Sequence, residues 1–134
     1  MNRLLFVFLF VLLLTLVACG SESGQSAGET GQGDALIGEQ VFNTGASPAC
    51  RSCHSLEAGQ RLAGPSLAGP SLAGLATRAA ASGKPADDFI RQEILNPNAV
   101  IAQGFAANMM PATYGSQLTP QQIDDLVAFF LTLE

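Results

Sequence analysis

The chain has 134 residues, a formal net charge of −5 and only 13% charged side chains. That length holds one small domain, and the surplus of acids argues against nucleic-acid binding. With no tryptophan, one tyrosine and one histidine, the composition suits a compact helical scaffold better than a polar enzyme cleft.

Residues 1–18 begin with one positive residue, Arg3, run through the apolar stretch from Leu4 to Leu14 and reach Leu16-Val17-Ala18-Cys19. The apolar run is short and ends in small residues, so it predicts an export signal, not a spanning helix. Leu16-Val17-Ala18-Cys19 resembles the lipobox of bacterial lipoproteins, in which the cysteine is lipidated and becomes the first mature residue. The resemblance implies a tether at Cys19 on the outer face of the bacterial cytoplasmic membrane, toward periplasm or cell surface. Stable anchoring then takes more than one acyl chain. An ordinary cleaved signal with an incidental cysteine is the alternative. Loss of Arg3 leaves Arg51, Arg61, Arg78, Lys84 and Arg91 against eleven acids, a balance that suits either a basic partner face or simple solubility.

Residues 19–33 form the next segment. From Gly20 it reads GSESGQSAGETGQG, too polar and small to bury a core, and predicts a flexible leash with a root-mean-square span of about 20 Å and a limit near 50 Å. A plain spacer is the simpler reading of the same residues. The folded domain is expected over residues 34–134.

Asp34 predicts the cap of a first helix carrying Leu36, Ile37, Val41 and Phe42. Gly38 lies one turn before Phe42 and costs about 1 kcal/mol relative to alanine, which close approach of another helix would explain. Next comes Cys50-Arg51-Ser52-Cys53-His54. Two thiols at this spacing can reach the two vinyl groups of one porphyrin, and the adjacent imidazole can turn under the iron. A redox dithiol or half of a zinc site would use the same thiols. Yet a zinc site lacks a fourth ligand where no other histidine exists, and no βαβ pattern supports a thioredoxin-like fold. If haem takes Cys50 and Cys53 and lipid takes Cys19, no free thiol remains in an oxidising compartment.

Leu62 to Gly74 is a near-exact pentapeptide tandem, too short for a solenoid, and reads as a loop that has gained one unit. The alanine-rich stretch from Leu75 to Ser82 predicts a short helix broken by Gly83-Lys84-Pro85. Asp87 begins another, with Phe89, Ile90, Ile94 and Leu95 inward, stopped by Asn96-Pro97. The loop from Gly104 to Pro111 holds Met109 and Met110, thioethers that suit iron opposite a histidine but also suit plain packing. A last helix opens at Thr119-Pro120-Gln121-Gln122, a capping box with proline at the first helical position. Ile123, Leu126, Val127, Phe129, Phe130, Leu131 and Leu133 make it apolar over more than one face, which predicts packing on two things, the first helix and a haem, although a generic two-helix core would be served by the same pattern.

The CxxCH, the Gly-Pro-x-Leu loop, the Met-Pro loop and a terminal helix beginning Leu118-Thr119-Pro120 together resemble class I c-type cytochromes over about residues 34 to 134. The nearest likeness is to small monohaem domains found as membrane-tethered carriers and attached to terminal-oxidase subunits. The resemblance implies an all-α fold in which the first and last helices cross over one covalent haem c. It implies thioether bonds from Cys50 and Cys53, His54 as proximal ligand and Met110 as distal ligand, with Met109 the rival. The family's proline, whose carbonyl accepts the proximal imidazole N–H, has two candidates. Distance from His54 favours Pro65; the residues that follow favour Pro70. Gly38 and Phe42 match the small and aromatic pair of the first helix, and Leu126 and Phe129 match their counterparts on the last.

With both axial positions filled, the available chemistry is a one-electron change, so a carrier and not an enzyme is expected. Methionine ligation raises the potential and suits donation to an oxidase or another acceptor, with a donor such as a quinol-oxidising complex and transient docking near the haem edge. A haem sensor or small haem enzyme with a labile methionine is the other reading. A fixed relay within a larger complex is a third.

Overall fold

The computed structural model describes residues 32–69 and 74–133. The expectations for the export signal, Cys19, most of the leash and Pro70 lie outside the described residues. Among the described residues there are helices and no strands: α1 (Ala35–Thr44), a single 3-10 turn (Cys50–Ser52), α2 (Leu75–Ser82), α3 (Ala86–Leu95), α4 (Tyr114–Gln117) and α5 (Pro120–Phe130). The architecture is the all-α one expected.

α1 starts where Asp34 turns its carboxylate onto the first free amides, Oδ1 accepting from Leu36 N at 2.8 Å and Ile37 N at 3.2 Å. α5 starts at the capping box: Thr119 Oγ1 accepts from Gln122 N at 3.2 Å, and Gln122 Oε1 accepts from Thr119 N at 2.9 Å. These two helices form the most extensive contact in the fold. Gly38 is the reason they can approach. A Cβ there would lie 2.0 Å from the carbonyl oxygen of Asp125 and 2.7 Å from Cβ of Phe129, so only hydrogen fits.

Around that crossing, Phe42 meets Phe130 edge-on with ring centroids 5.9 Å apart, and meets Phe129 at 5.8 Å. Such pairs add about 0.5–1.5 kcal/mol beyond their buried area. One polar group joins the crossing. Asp125 is 4% exposed, and its Oδ1 accepts from Asp34 N at 2.8 Å and from Gln121 Nε2 at 2.9 Å. It thereby holds the positive end of α1 with a carboxylate, as the helix dipole favours.

α2 runs over the expected residues and ends at Gly83, which takes a left-handed φ of 70°. α3 begins one residue before Asp87, with Pro85 in the capping position, and buries Phe89, Ile90 and Ile94. Leu95 departs from its expectation. It is 42% exposed, because it is the last helical residue before Asn96-Pro97 turns the chain away. Leu36 and Ile37 likewise face solvent, since only the side of α1 bearing Gly38, Val41 and Phe42 meets α5. Leu131, just past the end of α5, is also exposed. The short α4 has no apolar period to announce it. Its place is set by Tyr114, buried and donating its hydroxyl to the Pro48 carbonyl at 3.1 Å.

Candidate functional site

The helices enclose one side of a cleft lined by Cys50, Cys53 and His54, by both loop methionines, and by apolar side chains from α2, α3 and α5 such as Leu75, Ile94, Leu126 and Phe130. The cleft is open, and its empty volume counted together with the solvent of its mouth is about 1070 Å³.

The CxxCH segment is short enough to be shaped by its own backbone. Cys53 N and His54 N both donate to Cys50 O, at 3.1 and 3.0 Å, closing a turn that puts the two sulfurs and the imidazole against one space. The Gly-Pro loop then folds back over it, with Gly64 N donating to Cys53 O at 2.8 Å and Leu67 N to Ser55 O at 2.9 Å. That return brings the Pro65 carbonyl 2.9 Å from Nδ1 of His54. Gly64 permits the contact, because a Cβ there would sit 2.6 Å from Cε1 of the ring.

With Nδ1–H donating to Pro65, the other ring nitrogen, Nε2, carries the lone pair. Burial pushes the His54 pKa below its ordinary value, against the Pro65 carbonyl, which favours the proton; the Arg78 charge lowers it further. The ring is thus kept neutral and basic at one atom. Burial also pushes the Cys50 thiol up, with its own backbone hydrogen bond opposing and the nearby Cys53 reinforcing. That is the reverse of the lowered thiol of a reactive redox dithiol. Among the described residues no group of three or more His, Cys, Asp or Glu is placed to hold a metal ion.

The methionine loop lines the same cleft. Asn108 adopts φ 62°, a conformation asparagine tolerates better than most residues, and its N–H donates to Asn98 Oδ1 at 2.7 Å. Arg61 ties this loop to the Gly-Pro loop, donating to Gly104 O at 2.6 Å and lying 4.1 Å over the Phe105 ring. The two methionines are not equivalent. Met109 is 59% exposed, whereas Met110 is partly buried and packs on the core.

Sequence reasoning missed Arg61, Tyr114, Arg78 and Glu93 among the residues that build or line this cleft. For Arg61 and Tyr114 the available signal was weak: an arginine beside the glycine-rich loop, and the chain's only tyrosine.

A small helical domain whose cleft presents two thiols, one neutral imidazole and a thioether among apolar walls has the donor set of a covalently held iron porphyrin. The family model for cytochrome c matches residues 35–134, and the chain belongs to the cytochrome c family. No curated protein matches the chain. The family implies covalently bound haem c, and the cleft fits it. Its apolar lining and the nitrogen and sulfur donors it presents suit the group. The chain is accordingly a haem-based electron-transfer protein.

Proposed function

We propose that this protein is a membrane-tethered monohaem carrier whose iron is closed by His54 and Met110. The observation that carries the reading is that both candidate iron donors line one cleft. A partly buried, neutral His54 held by Pro65 and a partly buried Met110 on a doubly pinned loop both line it. When bound, haem supplies a one-electron change between ferric and ferrous iron. Cys50 and Cys53 would hold it covalently, which would retain it outside the cytoplasm. His54 is kept in one tautomer by the Pro65 carbonyl, and the apolar walls exclude water, which limits rearrangement when charge changes. Pro65 is the favoured partner of His54 because its carbonyl already lies at hydrogen-bond distance.

The lipobox-like Cys19 and the polar segment after it support attachment to the outer face of the cytoplasmic membrane, with the domain free to swing between a donor such as a quinol-oxidising complex and an acceptor such as a terminal oxidase. In a host that attaches haem, Cys19→Ala is expected to move the haem protein from the membrane fraction to the soluble fraction. Retention in the membrane would remove the tether.

The closed iron is tested by the visible spectrum of the ferrous protein before and after carbon monoxide. A low-spin spectrum that carbon monoxide barely alters is the expected result. Rapid conversion to a carbonyl form would replace the carrier reading with a gas- or peroxide-binding one.

A further inference from the structure

Tyr114, the chain's only tyrosine, is buried and lines the same cleft as Cys50, Cys53 and Met110. Its hydroxyl donates to the Pro48 carbonyl at 3.1 Å, and Pro48 stands two residues before Cys50. Further along α4, Gln117 Oε1 accepts from Ser47 N at 2.9 Å. The amide is oriented for this by its own nitrogen, since Gln117 Nε2 donates to Thr113 Oγ1 at 2.9 Å. Two hydrogen bonds therefore join α4 to the short segment that leads into CxxCH.

α4 is also where the methionine loop ends. Between Met110 and Tyr114 lie only Pro111 and the turn at Ala112-Thr113. Proline fixes its own φ and restricts the residue before it, here Met110 itself. A link this short and stiff carries the position of Tyr114 to Met110. At the other end of the loop, Gly104 O accepts from Arg61 at 2.6 Å, and Arg61 stands seven residues after His54. The loop from Gly104 to Tyr114 is thus a strap fastened at both ends to the stretch around CxxCH, at Pro48 before the motif and at Arg61 after it. The cysteines that would hold the porphyrin and the strap that carries the thioethers are tied to one another.

We infer that Tyr114 is a positioning residue for the distal ligand: its hydroxyl bond to Pro48, seconded by that of Gln117 to Ser47, sets how often Met110 leaves the iron. The inference rests on the closed-iron reading proposed above. Packing of the ring needs no oxygen, so phenylalanine would keep the buried contacts and lose only the clasp. With the clasp broken, α4 and the end of the strap beside Met110 are free to move away from the cysteine segment. The sulfur then spends more of its time off the iron. Loss of one hydrogen bond of ordinary net strength corresponds to a rise of about two- to tenfold in that open fraction.

The test is the rate of carbon monoxide binding to the full haem-loaded ferrous chain, which in a closed site follows the open fraction, with the denaturant midpoint recorded on the same samples. Tyr114→Phe is expected to bind carbon monoxide about two- to tenfold faster than the unmodified protein. In a Met110→Leu background the same change is expected to alter the rate no further, because the ligand whose release it governs is gone. An unchanged rate in Tyr114→Phe, even with a lowered midpoint, would reduce the hydroxyl to a structural role and overturn the inference. Equal acceleration in the Met110→Leu background would overturn it too, since the gas would then enter through a loosened fold and not through release of the methionine. If Tyr114→Phe does not fold, Gln117→Ala, at an exposed side chain, decides by the same rate: acceleration supports the clasp and no change overturns it. Rapid carbonyl formation by the unmodified protein would sink the closed-iron reading and the clasp together, and shows before any variant is made.

Discussion

Met110→Leu is expected to open one axial face of the iron, so that the ferrous protein binds carbon monoxide and its potential falls. A distal sulfur bound 99% of the time lowers the apparent affinity for an external ligand about 100-fold, and its loss restores about that factor. Potential falls because thioether ligation is among the features that raise it. Met109→Leu is the matched control. Met109 is exposed, and a volume-conserving change of this kind costs under about 1.5 kcal/mol even in a core. The pair is read by carbon monoxide titration and the visible spectrum. Opening of the iron by Met109→Leu alone would transfer the ligand role to Met109.

Gly38→Ala is expected to destabilise the fold by about 3 kcal/mol or more, against an intrinsic helix preference that favours alanine by about 1 kcal/mol. The sign is decided by what the added carbon meets. It would lie 2.0 Å from a backbone oxygen and 2.6 Å from the backbone carbon of Asp125, and neither can rotate away as a flexible side chain could. α1 and α5 must move apart, loosening the Phe42 contacts and the hydrogen bond from Asp34 N to Asp125 together. Against a typical total of about 5–15 kcal/mol this is a large fraction. Denaturant unfolding of the haem-loaded protein measures it, and a midpoint equal to or above that of the unmodified chain would show that the crossing tolerates the carbon.

Gly38 was legible because a costly residue in a helix pattern asks for a reason. Asp34, Thr119 and Gln122 were legible because caps act within three residues. CxxCH was legible because its chemistry lies within five. Leu95 was misread because a residue at a helix end belongs as much to the departing chain as to the apolar face. α4 was not seen because Tyr114 is held by Pro48, a partner 66 positions away in the chain.

What the sequence by itself determined is therefore local: where α1, α2, α3 and α5 lie, which five residues present thiols and imidazole together, and which loop carries thioethers. Backbone propensity, capping and covalent spacing act over a few residues, and the chain spells them out. Only the tertiary structure brought the Pro65 carbonyl to the His54 ring, packed Met110 partly buried on the core while leaving Met109 exposed, turned Asp125 onto the start of α1, and set Arg78 against Glu93 in the cleft. Each of these depends on how loops return and helices cross, and a repeated Gly-Pro unit or a charged residue on a helix offers several such arrangements until packing and the desolvation of polar groups leave one.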